Sequence, residues 1–130
     1  MTAADREAVF RRAAGYCEYC GLHRDESYVS FHVEHVIAQQ HGGSEDLDNL
    51  ALSCRRCNLY KGPNISGLDP ETGRLTPLFN PRLDRWGDHF ENRGGLIVGL
   101  TPEGRATVRL LRMNDAPRSD LRVDISDDLS

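Results

Sequence analysis

Two Cys-x-x-Cys pairs constrain the fold of this chain more than any other feature of its sequence. Cys17 pairs with Cys20 and Cys54 with Cys57, and together they are all four cysteines of the 130 residues. Two-residue spacing allows both thiolates of a pair to bind one tetrahedral ion, and Gly21 suits the tight turn that follows the first pair. The pattern favours zinc, and a redox pair or a disulfide framework is the alternative.

The segment between the two pairs, residues 21–53, is longer than the roughly 15–20 residues usual between such pairs. One ion bound by both pairs therefore closes over a substantial insertion. Because four thiolates leave no open coordination position, we expect this zinc to be structural and not catalytic. A chain of this size buries only a modest core, so a metal would add needed stability.

Composition is ordinary for a globular protein, with 38% hydrophobic and 28% charged residues. No apolar run reaches the roughly 20 residues of a membrane span, and charges in the first residues interrupt any signal segment, so we expect a cytoplasmic protein without membrane contact. The net charge of −4 weighs mildly against a nucleic-acid partner. Charge is unevenly distributed, however: acidic residues crowd the C-terminal end at Asp120, Asp124, Asp127 and Asp128, and basic ones gather at Arg55, Arg56 and Lys61.

The first half of the chain predicts a helix, two strands and a second helix. Residues 2–14 form an amphipathic segment, with Thr2 and Asp5 as a capping pair and Gly15 as its end. Residues 30–36 and 50–53 have strand composition and flank a long polar loop. Residues 55–61 allow one short helix, which Gly62 and Pro63 would end. These elements predict an α+β fold.

The second half gives weaker signals. Residues 69–73 have the composition of a turn, and residues 82–90 predict a short helix. Residues 96–100 and 106–113 predict two strands of a hairpin around residues 101–104, followed by a frayed acidic end. We therefore expect a core of residues 1–66 and a C-terminal extension of residues 67–130 packed against it.

Three residues near the cysteines suggest phosphodiester chemistry. A neutral histidine can take a proton from water near neutral pH, which makes His35 a candidate general base. The carboxylate of Glu34 and the amide oxygen of Asn58 are ligands suited to a hard cation such as Mg²⁺. Such a cation stabilises the departing oxygen of a phosphodiester.

These residues lie in a pattern that resembles the HNH endonuclease motif of the ββα-metal nucleases. The pattern consists of Glu34-His35-Val36-Ile37, Gly42-Gly43, Asp46-Leu47-Asp48-Asn49-Leu50 and Cys54-x-x-Cys57-Asn58-x-x-Lys61-Gly62, and the resemblance covers roughly residues 13–63. It implies a ββα-metal core with structural zinc, in which His35 activates water and Glu34 and Asn58 bind the catalytic cation. It also implies that Asn49 orients the histidine and braces the loop.

The sequence departs from the motif at two positions. Asn58 replaces the third histidine, and Glu34 replaces the more common aspartate. An oxygen-only ligand pair favours Mg²⁺ or Mn²⁺ over metals that prefer imidazole. Because neighbouring strand residues face opposite sides, we also expect the strand to bend at Val36 and Ile37, so that Glu34 and His35 can address one phosphate.

Three basic residues are candidates for binding substrate. Lys61 is three residues after Asn58 on the predicted helix and shares its face, which would place it near a phosphate. Arg55 and Arg56 are also candidates, and at least one of them is predicted to contact backbone phosphate and not a base. The alternatives are a solvated lysine at the helix end and ordinary surface arginines.

The sequence predicts a metal-dependent endonuclease that acts on DNA, with RNA as the alternative substrate. The first alternative is a zinc-stabilised module that binds nucleic acid without cleaving it. The second is a protein-interaction module that uses the zinc site as a scaffold. No feature of the sequence predicts the oligomeric state.

Overall fold

The computed structural model describes the backbone of residues 1–129 and the side chains of residues 1–122. It has the mixed helix and sheet content that the sequence predicts. The helices are α1 (Ala3–Arg12), α2 (Arg55–Lys61), α3 (Trp86–His89), α4 (Pro102–Leu110) and α5 (Ala116–Leu129). The strands are β1 (His32–His35), β2 (Leu50–Ser53), β3 (Ser66–Leu68), β4 (Leu75–Pro77), β5 (Phe90–Arg93) and β6 (Leu96–Gly99).

The ββα unit of the first half consists of β1, β2 and α2. The two strands are antiparallel, with His35 opposite Leu50, and all four residues of β2 are buried. Cys54 caps the N-terminus of α2 by accepting a hydrogen bond from the Cys57 amide, and the helix ends at Gly62. The capping pair of Thr2 and Asp5 in α1 is also present. The predicted elements of residues 2–62 are therefore confirmed, apart from small differences at their ends.

The second half differs from the prediction in one main element. Residues 106–113 were expected to be a strand, but Pro102–Leu110 is helix α4. The Thr101 side chain caps this helix by accepting from the Gly104 amide, and Pro102 occupies its first turn. The partner of β6 is instead β5, joined through Gly94 and Gly95, which both have positive φ.

Other expectations for the second half are met in part. The turn at residues 69–73 is confirmed and connects β3 to β4. The helix expected over residues 82–90 is only α3. The backbone of the acidic end belongs to helix α5, and the expected fraying there stays a prediction. Of the acidic residues there, Asp120 is exposed, and the side chains of Asp124, Asp127 and Asp128 lie outside the described residues.

Buried residues from both halves form one cluster. Val9, Tyr19 and Leu52 pack in the same core as Phe79 and Phe90. The Trp86 indole also donates a hydrogen bond of 2.8 Å to the Tyr19 carbonyl. The division at residue 66 stays a prediction. Among the described residues, no helix is both long enough and apolar enough to span a bilayer.

Candidate functional site

The four cysteines converge on one buried point between the N-terminal knuckle and the start of α2. Their Sγ atoms all lie within 4.8 Å of one another, and Cys20 Sγ is 3.7 Å from Cys54 Sγ. Zinc–sulfur bonds of about 2.3 Å in a regular tetrahedron require sulfur–sulfur distances of about 3.8 Å. None of the four is in a disulfide. The cluster therefore has the dimensions and the donor set of a structural zinc site.

The protein around the cysteines also suits a cation. The amides of Cys20 and Cys57 point at Cys17 Sγ and Cys54 Sγ, at 3.4 and 3.5 Å. Burial raises the pKa of the Cys17 and Cys57 thiols well above the ordinary value, whereas hydrogen bonds with Cys17 lower the pKa of Cys20 and Cys54. Four buried thiolates in contact therefore need a compensating positive charge. A bound dication would supply that charge and hold the two knuckles together.

A buried arginine from the C-terminal segment reaches the same cluster. Arg118 is 2% exposed, and its guanidinium donates to Cys57 Sγ at 3.1 Å and to Cys54 Sγ at 3.6 Å. It also donates to the Leu111 carbonyl and to Asp115. No sequence pattern predicts this contact, because nothing in the acidic C-terminal end indicates that a side chain there reaches the cysteines.

A second group of residues lines an open pocket of about 620 Å³ at the end of β1. Glu34, His35 and Asn58 all border it, together with Gln39 and Pro63. β1 ends at His35, and the chain bends at Val36 and Ile37 where the sequence analysis expected a bend. The structure thus brings the candidate base and both candidate ligands of the catalytic cation to one pocket.

Glu34 is a buried carboxylate with unused bonding capacity. It is 7% exposed, and its Oε1 atom has no hydrogen-bond partner among the described residues. Burial raises its pKa to about 7, although the Lys61 ammonium, 3.8 Å from Oε2, works in the opposite direction. The buried phenol of Tyr19 also interacts with Glu34. An unpartnered oxygen in this position fits a ligand for a hard cation, because a buried polar atom without a partner is costly.

His35 is held by a carboxylate that the sequence analysis did not identify. Its Nε2 atom lies 2.7 Å from Glu45 Oε1, and the imidazole side chain is 26% exposed. The hydrogen bond to His35 is the main cause that lowers the pKa of Glu45. The only sequence signal was an acidic residue two positions after Gly42-Gly43 in a loop near the histidine.

Asn49 joins the long loop to the end of β1. Its Oδ1 accepts from the Ile37 amide at 2.9 Å, and its Nδ2 donates to the Ile37 and Ser44 carbonyls at 3.0 and 2.8 Å. Gly43 is part of this close approach, since a Cβ there would lie 1.7 Å from the Ile37 carbonyl oxygen. Asn49 thus braces the loop two residues beyond His35, and its effect on catalysis stays a prediction.

The structure places the three predicted substrate-binding residues away from the pocket. Lys61 is 2% exposed, and its ammonium donates to the Val36 carbonyl at 2.9 Å. The helix thus turns the amine into the protein, and the phosphate contact of Lys61 stays a prediction. Arg55 and Arg56 are exposed but border a different groove, and Arg56 pairs with Asp115 at 2.7 Å. Their role with substrate stays a prediction.

Comparison with known proteins assigns the ββα unit to a family. Residues 17–64 match the family model described as HNH endonuclease, which confirms the resemblance seen in the sequence. The matched segment begins at the first zinc-knuckle cysteine and ends just beyond α2. Residues 17–64 thus match an HNH endonuclease domain, and this match supports a nuclease function in general.

The chain is also similar to the Septu protein PtuB of Bacillus thuringiensis. The two are 27% identical over 113 residues, which make up 85% of this chain and 41% of that protein. This chain therefore spans about two fifths of the length of that curated relative. No solved structure matches the chain.

Proposed function

We propose that this chain is a metal-dependent endonuclease that hydrolyses phosphodiester bonds of DNA. The observation that carries the proposal is the convergence of Glu34, His35 and Asn58 on one open pocket. The family match of the surrounding residues supports it. A pure binding module would have no use for a histidine beside an unpartnered buried carboxylate oxygen.

The reaction needs a base, a cation and room for the phosphate. His35 takes a proton from the water that attacks phosphorus, and the bond from phosphorus to the leaving oxygen breaks. Mg²⁺ or Mn²⁺ held by Glu34 and Asn58 would offset negative charge on the phosphate and the leaving oxygen. Asn49 keeps the loop against the end of β1, and the pocket is open enough to admit a phosphate.

The test is cleavage of supercoiled plasmid by purified protein with and without Mg²⁺ or Mn²⁺. We expect metal-dependent cleavage that falls at least about a hundredfold in His35→Ala, because general-base catalysis contributes about 10²–10⁴-fold. Zinc content and circular dichroism should stay unchanged in this variant. His41→Ala is the matched control, since His41 is an exposed histidine on the loop that follows β1 and does not line the pocket.

Two outcomes contradict the proposal. Full activity in His35→Ala would remove the assigned base. Binding of DNA without cleavage under either metal would instead favour the zinc-stabilised binding module.

A further inference from the structure

The Glu45 carboxylate lies where it can control the orientation of the His35 ring. Glu45 is on the loop between β1 and β2, and its Oε1 atom receives both the His35 imidazole at 2.7 Å and the Gln39 amide. The α-amino group of Met1 lies 3.2 Å from the other oxygen, Oε2. Donors therefore occupy both carboxylate oxygens.

The identity of the donor in the contact with His35 follows from the charge of the carboxylate. An ionised carboxylate can only accept hydrogen bonds, so His35 Nε2 must carry the proton. A neutral imidazole has one N–H, which leaves the lone pair on Nδ1. Among the described side chains, none forms a hydrogen bond with His35 Nδ1.

The two residues have different positions relative to the pocket. His35 lines it and Glu45 does not, so the carboxylate contacts the ring from outside the pocket. Glu45 is also held close to the strand, because the preceding residue, Ser44, accepts a hydrogen bond from the Asn49 amide that clamps Ile37. The Asn49 side chain thus ties the backbone next to Glu45 to the backbone that follows His35.

We propose that Glu45 is a positioning residue that accepts the Nε2 proton of His35 and thereby presents Nδ1 to the pocket as the proton acceptor. This inference rests on the proposed nuclease function. Glu45 acts through His35 and touches no substrate. A role for Glu45 as a cation ligand is a poorer fit, since three donors already occupy its oxygens and it lies outside the pocket wall.

Two substitutions of Glu45 distinguish an effect on the orientation of the His35 ring from an effect of the negative charge alone. Glu45→Ala removes the acceptor, and we expect loss of the Nε2–H tautomer and a fall of kcat by about tenfold or more with KM little changed. Glu45→Gln keeps an acceptor oxygen, and the Gln39 amide favours turning that oxygen toward His35. We therefore expect the glutamine variant to recover most of kcat and the wild-type tautomer.

The measurements are plasmid cleavage kinetics and nitrogen-15 NMR of the histidine side chains in zinc-loaded protein. The matched control is Asp46→Asn, which removes one negative charge from the neighbouring exposed residue, whose side chain makes no capping bond. We expect this control to match wild type in both readouts.

The results also distinguish this inference from the proposed function. If Glu45→Ala keeps the Nε2–H tautomer and full kcat while His35→Ala is inactive, the role of Glu45 is overturned and the nuclease proposal stands. If the glutamine variant loses as much kcat as the alanine variant, positioning by an acceptor is likewise refuted. If His35→Ala cleaves as well as wild type, the proposed function itself fails.

Discussion

Glu34 combines two properties that conflict in a protein without a bound cation. Its carboxylate is almost fully buried, and one oxygen lacks a partner. Burial favours the protonated form, whereas the nearby Lys61 ammonium favours the ionised form, and the balance leaves the pKa at about 7. A cation binds only the ionised carboxylate, so metal binding and loss of this proton are coupled.

We predict that the affinity for Mg²⁺ or Mn²⁺ rises with pH through about 7. A carboxyl group with a pKa of about 7 is about one tenth ionised at pH 6 and mostly ionised at pH 8, which corresponds to about a tenfold gain in affinity. Isothermal titration calorimetry with zinc-loaded protein at both pH values measures it. Glu34→Gln should bind more weakly and lose this dependence. Equal affinity of wild type at pH 6 and pH 8 would refute Glu34 as a ligand.

At the scale of elements, α5 contacts the cysteine cluster through the buried side chain of Arg118. The Nη1 atom of the Arg118 guanidinium places a positive charge against Cys54 and Cys57. Its Nη2 atom donates a hydrogen bond to the carbonyl of Leu111, the residue after α4. Four thiolates around one zinc ion would carry an excess of two negative charges, and a buried guanidinium offsets one of them. We therefore expect the contact to couple the C-terminal helix to retention of a bound metal.

We predict that Arg118→Gln weakens zinc binding by about 10- to 100-fold, the usual effect of removing a group that contacts the metal ligands. The measurement is the transfer of zinc to a coloured chelator, recorded as a rate and as an equilibrium. Arg109→Gln is the matched control, because Arg109 is an exposed arginine on α4. Zinc transfer at the same rate from Arg118→Gln and wild type would show that the guanidinium contributes nothing to metal retention.

At the scale of the whole molecule, local patterns predicted the first half well and the second half less well. The capping pair of α1 and the spacing of the cysteines act over a few residues, so the sequence displays them directly. Residues 106–113 have strand-like composition, but the cap at Thr101 and the proline after it start a helix there. In that segment the helix cap therefore had a larger effect on the local structure than the strand-like composition of the side chains.

The sequence likewise predicted some features of the candidate site and not others. The motif predicted which residues meet at the pocket, namely Glu34, His35 and Asn58. It did not predict that Lys61 turns inward to the Val36 carbonyl, or that Glu45 holds the histidine. Both contacts depend on where the long loop returns to the strand, and residue spacing alone carries no information about that path.

The shared core implies that the metal stabilises both halves of the chain together. The four cysteines all lie in the first half. The only tryptophan, Trp86, lies in the second half and donates a hydrogen bond to the carbonyl of Tyr19, which lies between Cys17 and Cys20. Arg118 adds a second connection from the C-terminal helix to the cysteines. Because zinc binding is coupled to folding in small domains, loss of the ion should disrupt both halves in one transition.

We therefore predict that removal of zinc by a strong chelator abolishes cooperative thermal unfolding and shifts Trp86 fluorescence to that of a solvated indole. Circular dichroism reports the secondary structure of the whole chain, and Trp86 fluorescence reports the second half. Recording both on the same samples tests whether the two halves unfold together, and Cys54→Ser should behave like the chelated protein. Adding zinc back to wild type should restore both signals, and adding it to Cys54→Ser should restore neither fully. If Trp86 keeps its native emission and a cooperative melt after zinc is removed, residues 67–130 fold independently of the metal site, and the coupling argued from Arg118 and Trp86 is wrong.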